Sequence, residues 1–156
     1  MRKTSTYARK RKLAKPSDGL EPMRLLNIAR PYEPGEMLQE HVITKAAYIR
    51  LRDGSGGEPE FDRVSMILNV GLLRAEQIDQ SLVETMIRGQ NAMARMRDRY
   101  TRGLAFGCDA DGLKDIPEAL DAYEVIMDAS SPLQMMQAIQ GAYKRITNGE
   151  VIEIIR

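Results

Sequence analysis

Between residues 78 and 100, Ile78, Leu82, Met86, Gly89, Met93, Met96 and Tyr100 follow one another in steps of three and four only. Such steps hold the positions on one face of an α-helix and mark a seam packed against other helices. The spacing predicts a helix over about 75–104, long for a chain of 156 residues. Gly89 replaces a large side chain midway and predicts a neighbour that approaches closely there. The composition agrees with helix packing, with ten Met, six Tyr, two Phe and no Trp. Straight-chain residues lose little rotamer freedom on a helix, whereas a sheet favours β-branched and aromatic residues.

Other segments read the same way. Leu38, Val42, Ala46 and Ile49 recur at helical spacing and predict a buried stripe on a helix over 34–52, with Pro34 in its first turn. Residues 53–59, Asp-Gly-Ser-Gly-Gly-Glu-Pro, read as a loop and flexible hinge. Residues 61–73 include a run from Met66 to Leu73 that is apolar on most sides, which predicts a helix at the centre of the bundle. Asp115 predicts the N-cap of a helix over 116–129. Ser131-Pro132-Leu133-Gln134 is a capping-box pattern opening a helix over 132–147, and Asn148-Gly149 predicts its left-handed C-cap. A short helix is expected over 23–29. The apolar tail 151–155 is β-prone, and a lone strand must pack on the bundle or pair with another chain. The fold class expected is all-α, a five- to six-helix bundle.

The charge is unevenly placed. The first fifteen residues hold Arg2, Lys3, Arg9, Lys10, Arg11, Lys12 and Lys15 and no acid, in a chain with 23 basic and 22 acidic side chains. Residues 16–156 therefore carry 23 − 7 = 16 cations against 22 acids, net −6. Residues 1–21 are predicted to form a disordered basic arm and linker, ahead of a single helical domain over 22–156. A polyanion suits such an arm, and nucleic acid, DNA or RNA, needs only its charge density. An anionic membrane surface would ask for apolar side chains or an acyl group besides; Arg2 stands where N-myristoylation requires glycine. An acidic protein surface is the third candidate partner. Arg88, Arg95, Arg99 and Arg102 lie on one side of the long helix and form a second candidate phosphate-contacting set, or else a solvated face paired with acidic neighbours.

Several chemistries find no support. His41 is the single histidine and Cys108 the single cysteine, so one chain holds neither a disulfide nor a Cys/His zinc site. The lone histidine reads as a partly buried side chain bonded to a neighbour. Gly54-Ser55-Gly56-Gly57 fails both nucleotide-binding fingerprints, having no preceding strand and no following Lys-Ser or Lys-Thr. Asp109, Asp111 and Asp115 miss the spacing of a calcium loop, and helix capping by Asp115 is the better account. No cofactor, no metal site and no enzymatic constellation are expected. The last two helices also admit a helix-turn-helix reading, with Gln134, Gln137, Lys144 and Arg145 outward and Met135, Ile139, Ala142 and Ile146 inward. No apolar run approaches a membrane span, no signal-peptide core follows the basic start, and a cytoplasmic protein is expected.

His41-Val42, Ala46-Ala47, Leu51, the Gly54–Gly57 loop, Phe61-Asp62 and Asn69-Val70 resemble a group of small uncharacterised helical proteins of proteobacterial phages, prophages and mobile elements. The resemblance covers residues 1–105 and rests on packing positions; the loop over 53–60 is longer than is usual in that group. It implies a small non-enzymatic accessory protein and assigns no site residue. A second expectation is a protein–protein module, as a homo-oligomer or a binder of a host protein, motivated by the methionine seam and the apolar tail.

Overall fold

The computed structural model describes residues 30–150. The basic stretch 1–21, the helix expected over 23–29 and the tail 151–155 lie outside the described residues. Five helices follow one another: α1 (Leu38–Arg52), α2 (Glu58–Ala75), α3 (Gln80–Thr101), α4 (Gly112–Asp128) and α5 (Pro132–Thr147). Among the described residues there is no strand, and the architecture is the all-α bundle the spacing requires.

α2 is the centre, as its apolar run predicts, and it packs against each of the other four helices. Phe61, Val64, Leu68 and Ala75 are fully enclosed, and Val70, Gly71 and Leu72 are buried on its other sides. α3 lies between α2 and α4. Met86, Gly89, Met93 and Met96 of the expected seam are buried, while Ile78 and Tyr100 at its ends are exposed. At Gly89 a Cβ would stand 2.6 Å from Ala119 Cβ and 3.3 Å from Leu68 Cδ1, the close approach expected of that glycine.

The helix ends follow local chemistry. Ser131 and Gln134 form the reciprocal capping box, at 3.2 Å and 2.9 Å. Gly149 has φ +72°, and the N–H groups of Gly149 and Glu150 donate to Ile146 O and Arg145 O, the expected left-handed closure of α5. Gly103, with φ +82°, ends α3 the same way, its last residue Thr101 standing three short of the expected limit. Its start is Asp79, whose carboxylate accepts the Ser81 N–H at 2.9 Å.

Four expectations are corrected. The stripe Leu38, Val42, Ala46 and Ile49 faces outward on α1, and Thr44, Ala47, Tyr48 and Leu51 face the core instead. The helix is apolar on two sides, and its spacing alone does not choose between them. Gly35, with φ +81°, lies in a turn that delays the helix from residue 34 to Leu38. The glycine-rich loop is a closed turn, not a hinge. Ser55 and Gly56 N–H groups both donate to Arg50 O, at 3.0 Å and 2.8 Å, and a Cβ on Gly56 would meet Leu51 N at 2.8 Å. Finally, α4 begins at Gly112, and the side chain that caps it is Asp109, accepting the Gly112 N–H at 2.7 Å, rather than Asp115.

Gly89→Val is expected to lower the unfolding free energy by about 2–3 kcal/mol, because neither Ala119 Cβ nor its helical backbone can move aside. Adding Ala119→Gly should return part of that loss, as read by urea denaturation.

Candidate nucleic-acid interface

Arg2, Lys3, Arg9, Lys10, Arg11, Lys12 and Lys15 lie outside the described residues. The second set divides in two. Arg88 and Arg95 point from α3 towards α4 and the loop before it. The Arg88 guanidinium reaches Glu118 at 3.2 Å and Asp115 at 3.6 Å. Arg95 Nε donates to Asp109 at 2.5 Å, and its Nη2 donates to the second carboxylate oxygen at 3.4 Å. This pairing, together with the Gly112 N–H, holds the Asp109 carboxyl below its usual range, while its partial burial works the other way. These arginines are helix-to-helix ties, the solvated-face reading. Arg99 and Arg102, by contrast, are exposed and have no acidic partner among the described residues. Arg97, two residues before Arg99 and so on the opposite side of the helix, has none either. All three sit in or just beyond the last turns of α3, where the helix dipole favours cations.

Most other cations of the body are engaged. Lys45 bridges Asp121 and Glu124 at 3.0 Å and 2.6 Å. Arg50 meets Glu60 at 2.7 Å and Arg63 meets Glu40 at 3.2 Å. Arg145 grips Glu76 with two bonds of 2.7 Å. Arg74 is buried and donates to Ser130 Oγ at 3.0 Å and Gln77 Oε1 at 2.6 Å. Residues 30–150 hold 14 Lys and Arg against 19 Asp and Glu, so the body presents an acidic surface with few free cations.

The free arginines adjoin an aromatic stack absent from the sequence reading. The Tyr100 and Phe106 ring centroids lie 4.1 Å apart, with the rings nearly parallel at 5°, and Phe106 stacks on Phe61 at 5.2 Å. The Tyr100 hydroxyl donates to Glu58 at 2.9 Å, which ties the end of α3 to the start of α2. No spacing signal announces this stack, since Phe106 arrives from the loop beyond Gly103.

The remaining singled-out residues are packing groups. His41 meets Tyr123 edge-on, with centroids 6.1 Å apart. Cys108 shares a hydrogen bond with Tyr48; burial pushes the thiol up, and burial with the Cys108 contact pushes Tyr48 up to about 12. A thiol held protonated is a poor nucleophile. Among the described residues no three His, Cys, Asp or Glu side chains gather as metal ligands, and no helix is long and apolar enough to cross a membrane. Of the features read as a helix-turn-helix, α5 packs on α2, Arg145 is held by Glu76, and Ile139 faces out although it was expected inward.

No family model, curated protein or solved structure matches this chain.

The Asp109 carboxyl is depressed in the folded state, so its stabilisation is present above the unfolded carboxyl value, about 3.9, and is lost as pH falls through the folded value. Asp109→Asn should lower stability at pH 6 by at most about 1 kcal/mol, because the pair is partly exposed, and should converge with the parent near about pH 2. Urea midpoints across pH check this.

Proposed function

We propose that this protein is a non-enzymatic accessory protein that holds nucleic acid electrostatically through the basic stretch over residues 1–15. The observation that carries the reading is the partition of charge: seven cations and no acid before residue 16, against a body whose cations are largely paired internally. A net-acidic body repels phosphates, which leaves the basic stretch as the strongest attractor on the molecule. Arg99 and Arg102 extend the contact set, because no carboxylate among the described residues competes for them. Arg88 and Arg95 do not, because a phosphate would have to displace Asp115, Glu118 or Asp109. Binding of this kind releases counterions and needs no base reading, so it is independent of sequence and steep in salt. The resemblance to small proteins of phages and mobile elements supports a role beside a mobile element, and a cytoplasmic site suits that role.

A second reading, a protein–protein module, is supported by a separate feature. Met136, Ile139 and Tyr143 form an outward stripe on α5, 49%, 41% and 55% exposed, in steps of three and four. Such a stripe is the pattern of a helix that docks on a partner, either another copy or a host protein.

Anisotropy of a labelled duplex, titrated across salt, tests the proposal. The full chain should give a log–log slope of about −4 to −6, the value for five to seven phosphate contacts, and Δ1–15 should lose most of it. Arg99→Gln and Arg102→Gln should each reduce the slope by about 1. Equal affinity of the full chain and Δ1–15, or a flat salt response, overturns it.

A further inference from the structure

α1 has two apolar faces, and the bundle uses one. Thr44, Ala47, Tyr48 and Leu51 are buried, while on the opposite side Leu38, Val42 and Ile49 are 62%, 58% and 44% exposed. At about 100° per residue Leu38, Ile49, Val42 and Ala46 fall within about 80° of one another, a continuous stripe. Beside it runs a groove of about 340 Å³, walled by Val42, Ile43 and Ala46 on α1 and by Pro59 and Arg63 on α2. A helix apolar all round is ordinarily buried.

We propose that residues 23–29 of the same chain, Met-Arg-Leu-Leu-Asn-Ile-Ala, cover this stripe and fill the groove. Position is the first ground. The described chain begins at Arg30, whose guanidinium lies 3.5 Å from the Glu36 carboxylate, and Glu36 stands two residues before Leu38, where the stripe starts. The preceding residues therefore enter beside one end of it. Reach is the second. From Leu38 to Ile49 the stripe runs about 16 Å at 1.5 Å per residue, and seven residues span about 10 Å as a helix or about 23 Å extended. Chemistry is the third. The segment offers Leu25, Leu26, Ile28 and Ala29, and at helical spacing Leu25, Leu26 and Ala29 fall on the side away from Arg24 and Asn27. A second copy could supply an apolar face too. A segment tethered at Arg30, however, acts at an effective concentration of order millimolar, far above that of free protein. The inference stands apart from the nucleic-acid reading, which concerns residues before 16. Its consequence is that the basic stretch leaves the body from a fixed place near α1.

Thiol alkylation of the full-length chain tests it, in a Cys108→Ser background. Val42→Cys reports on the stripe, and Asn91→Cys on α3 serves as the exposed control. The Val42→Cys thiol should react at least about tenfold more slowly than the control, at a rate independent of protein concentration, since it is reached only by local opening. Adding Leu25→Asp and Leu26→Asp should bring it to the control rate, with helical circular dichroism unchanged. Alkylation at the control rate in the parent overturns the proposal. So does protection that survives the two aspartates, and so does protection that grows with protein concentration, which would assign the stripe to a second copy.

Discussion

A methyl group added at Gly89 would stand 2.6 Å from Ala119 Cβ, so the backbones of α3 and α4 approach there with only the Ala119 methyl between them. That contact sets the spacing of the two helices, and Leu68 of α2 closes the third side at 3.3 Å. With α3 held so near α4, Arg88 comes within reach of Asp115 and Glu118, and Arg95 within reach of Asp109. The same Asp109 then caps α4 through the Gly112 N–H. One close packing contact thus decides both how the helices lie and which arginines are occupied. Beyond it, Gly103 turns the chain, Phe106 returns to stack on Tyr100, and Arg99 and Arg102 are left exposed, with no carboxylate partner among the described residues.

The electrostatic character of the molecule follows from that geometry. The body could hold its cations as an open basic face or bind them into pairs with its acids. It does the second, through Lys45, Arg50, Arg63, Arg88, Arg95 and Arg145. Exposed pairs add little stability, at about 0–1 kcal/mol each. Their larger effect is on the surface field, which they leave acidic over residues 30–150, while the sequence of residues 1–15 holds seven cations and no acid. Under the proposed function, affinity for a polyanion belongs to that one segment, and the bundle supplies its mounting.

Where the deciding chemistry is local, the sequence was sufficient. The Ser131–Gln134 box, the Gly149 closure, the buried run of α2 and the glycine on the α3 seam each depend on a few neighbouring residues. Where two local solutions compete, it was not. α1 carries apolar stripes on both sides, and only its packing against α2 and α4, distant in sequence, selects the inner one. Asp109 and Asp115 are both plausible caps; Arg95, fourteen residues away, settles the matter by holding Asp109. The four arginines of α3 look alike in sequence, and only the position of α4 separates the paired Arg88 and Arg95 from the free Arg99 and Arg102. The glycines at 54–57 have the composition of a hinge, yet Arg50 O accepts two N–H donors and closes the turn.

The most direct measurement of the central claim is the nucleic acid that the protein carries out of its own host. The full chain and a chain lacking residues 1–15 are purified in parallel at low salt, with and without nuclease, and the ratio of absorbance at 260 nm to that at 280 nm is read. The account predicts a ratio raised by bound nucleic acid for the untreated full chain only, falling to the protein value after nuclease or a high-salt wash. Equal ratios for the two chains, or a host protein that stays bound to the full chain after nuclease with no nucleic acid present, would contradict it.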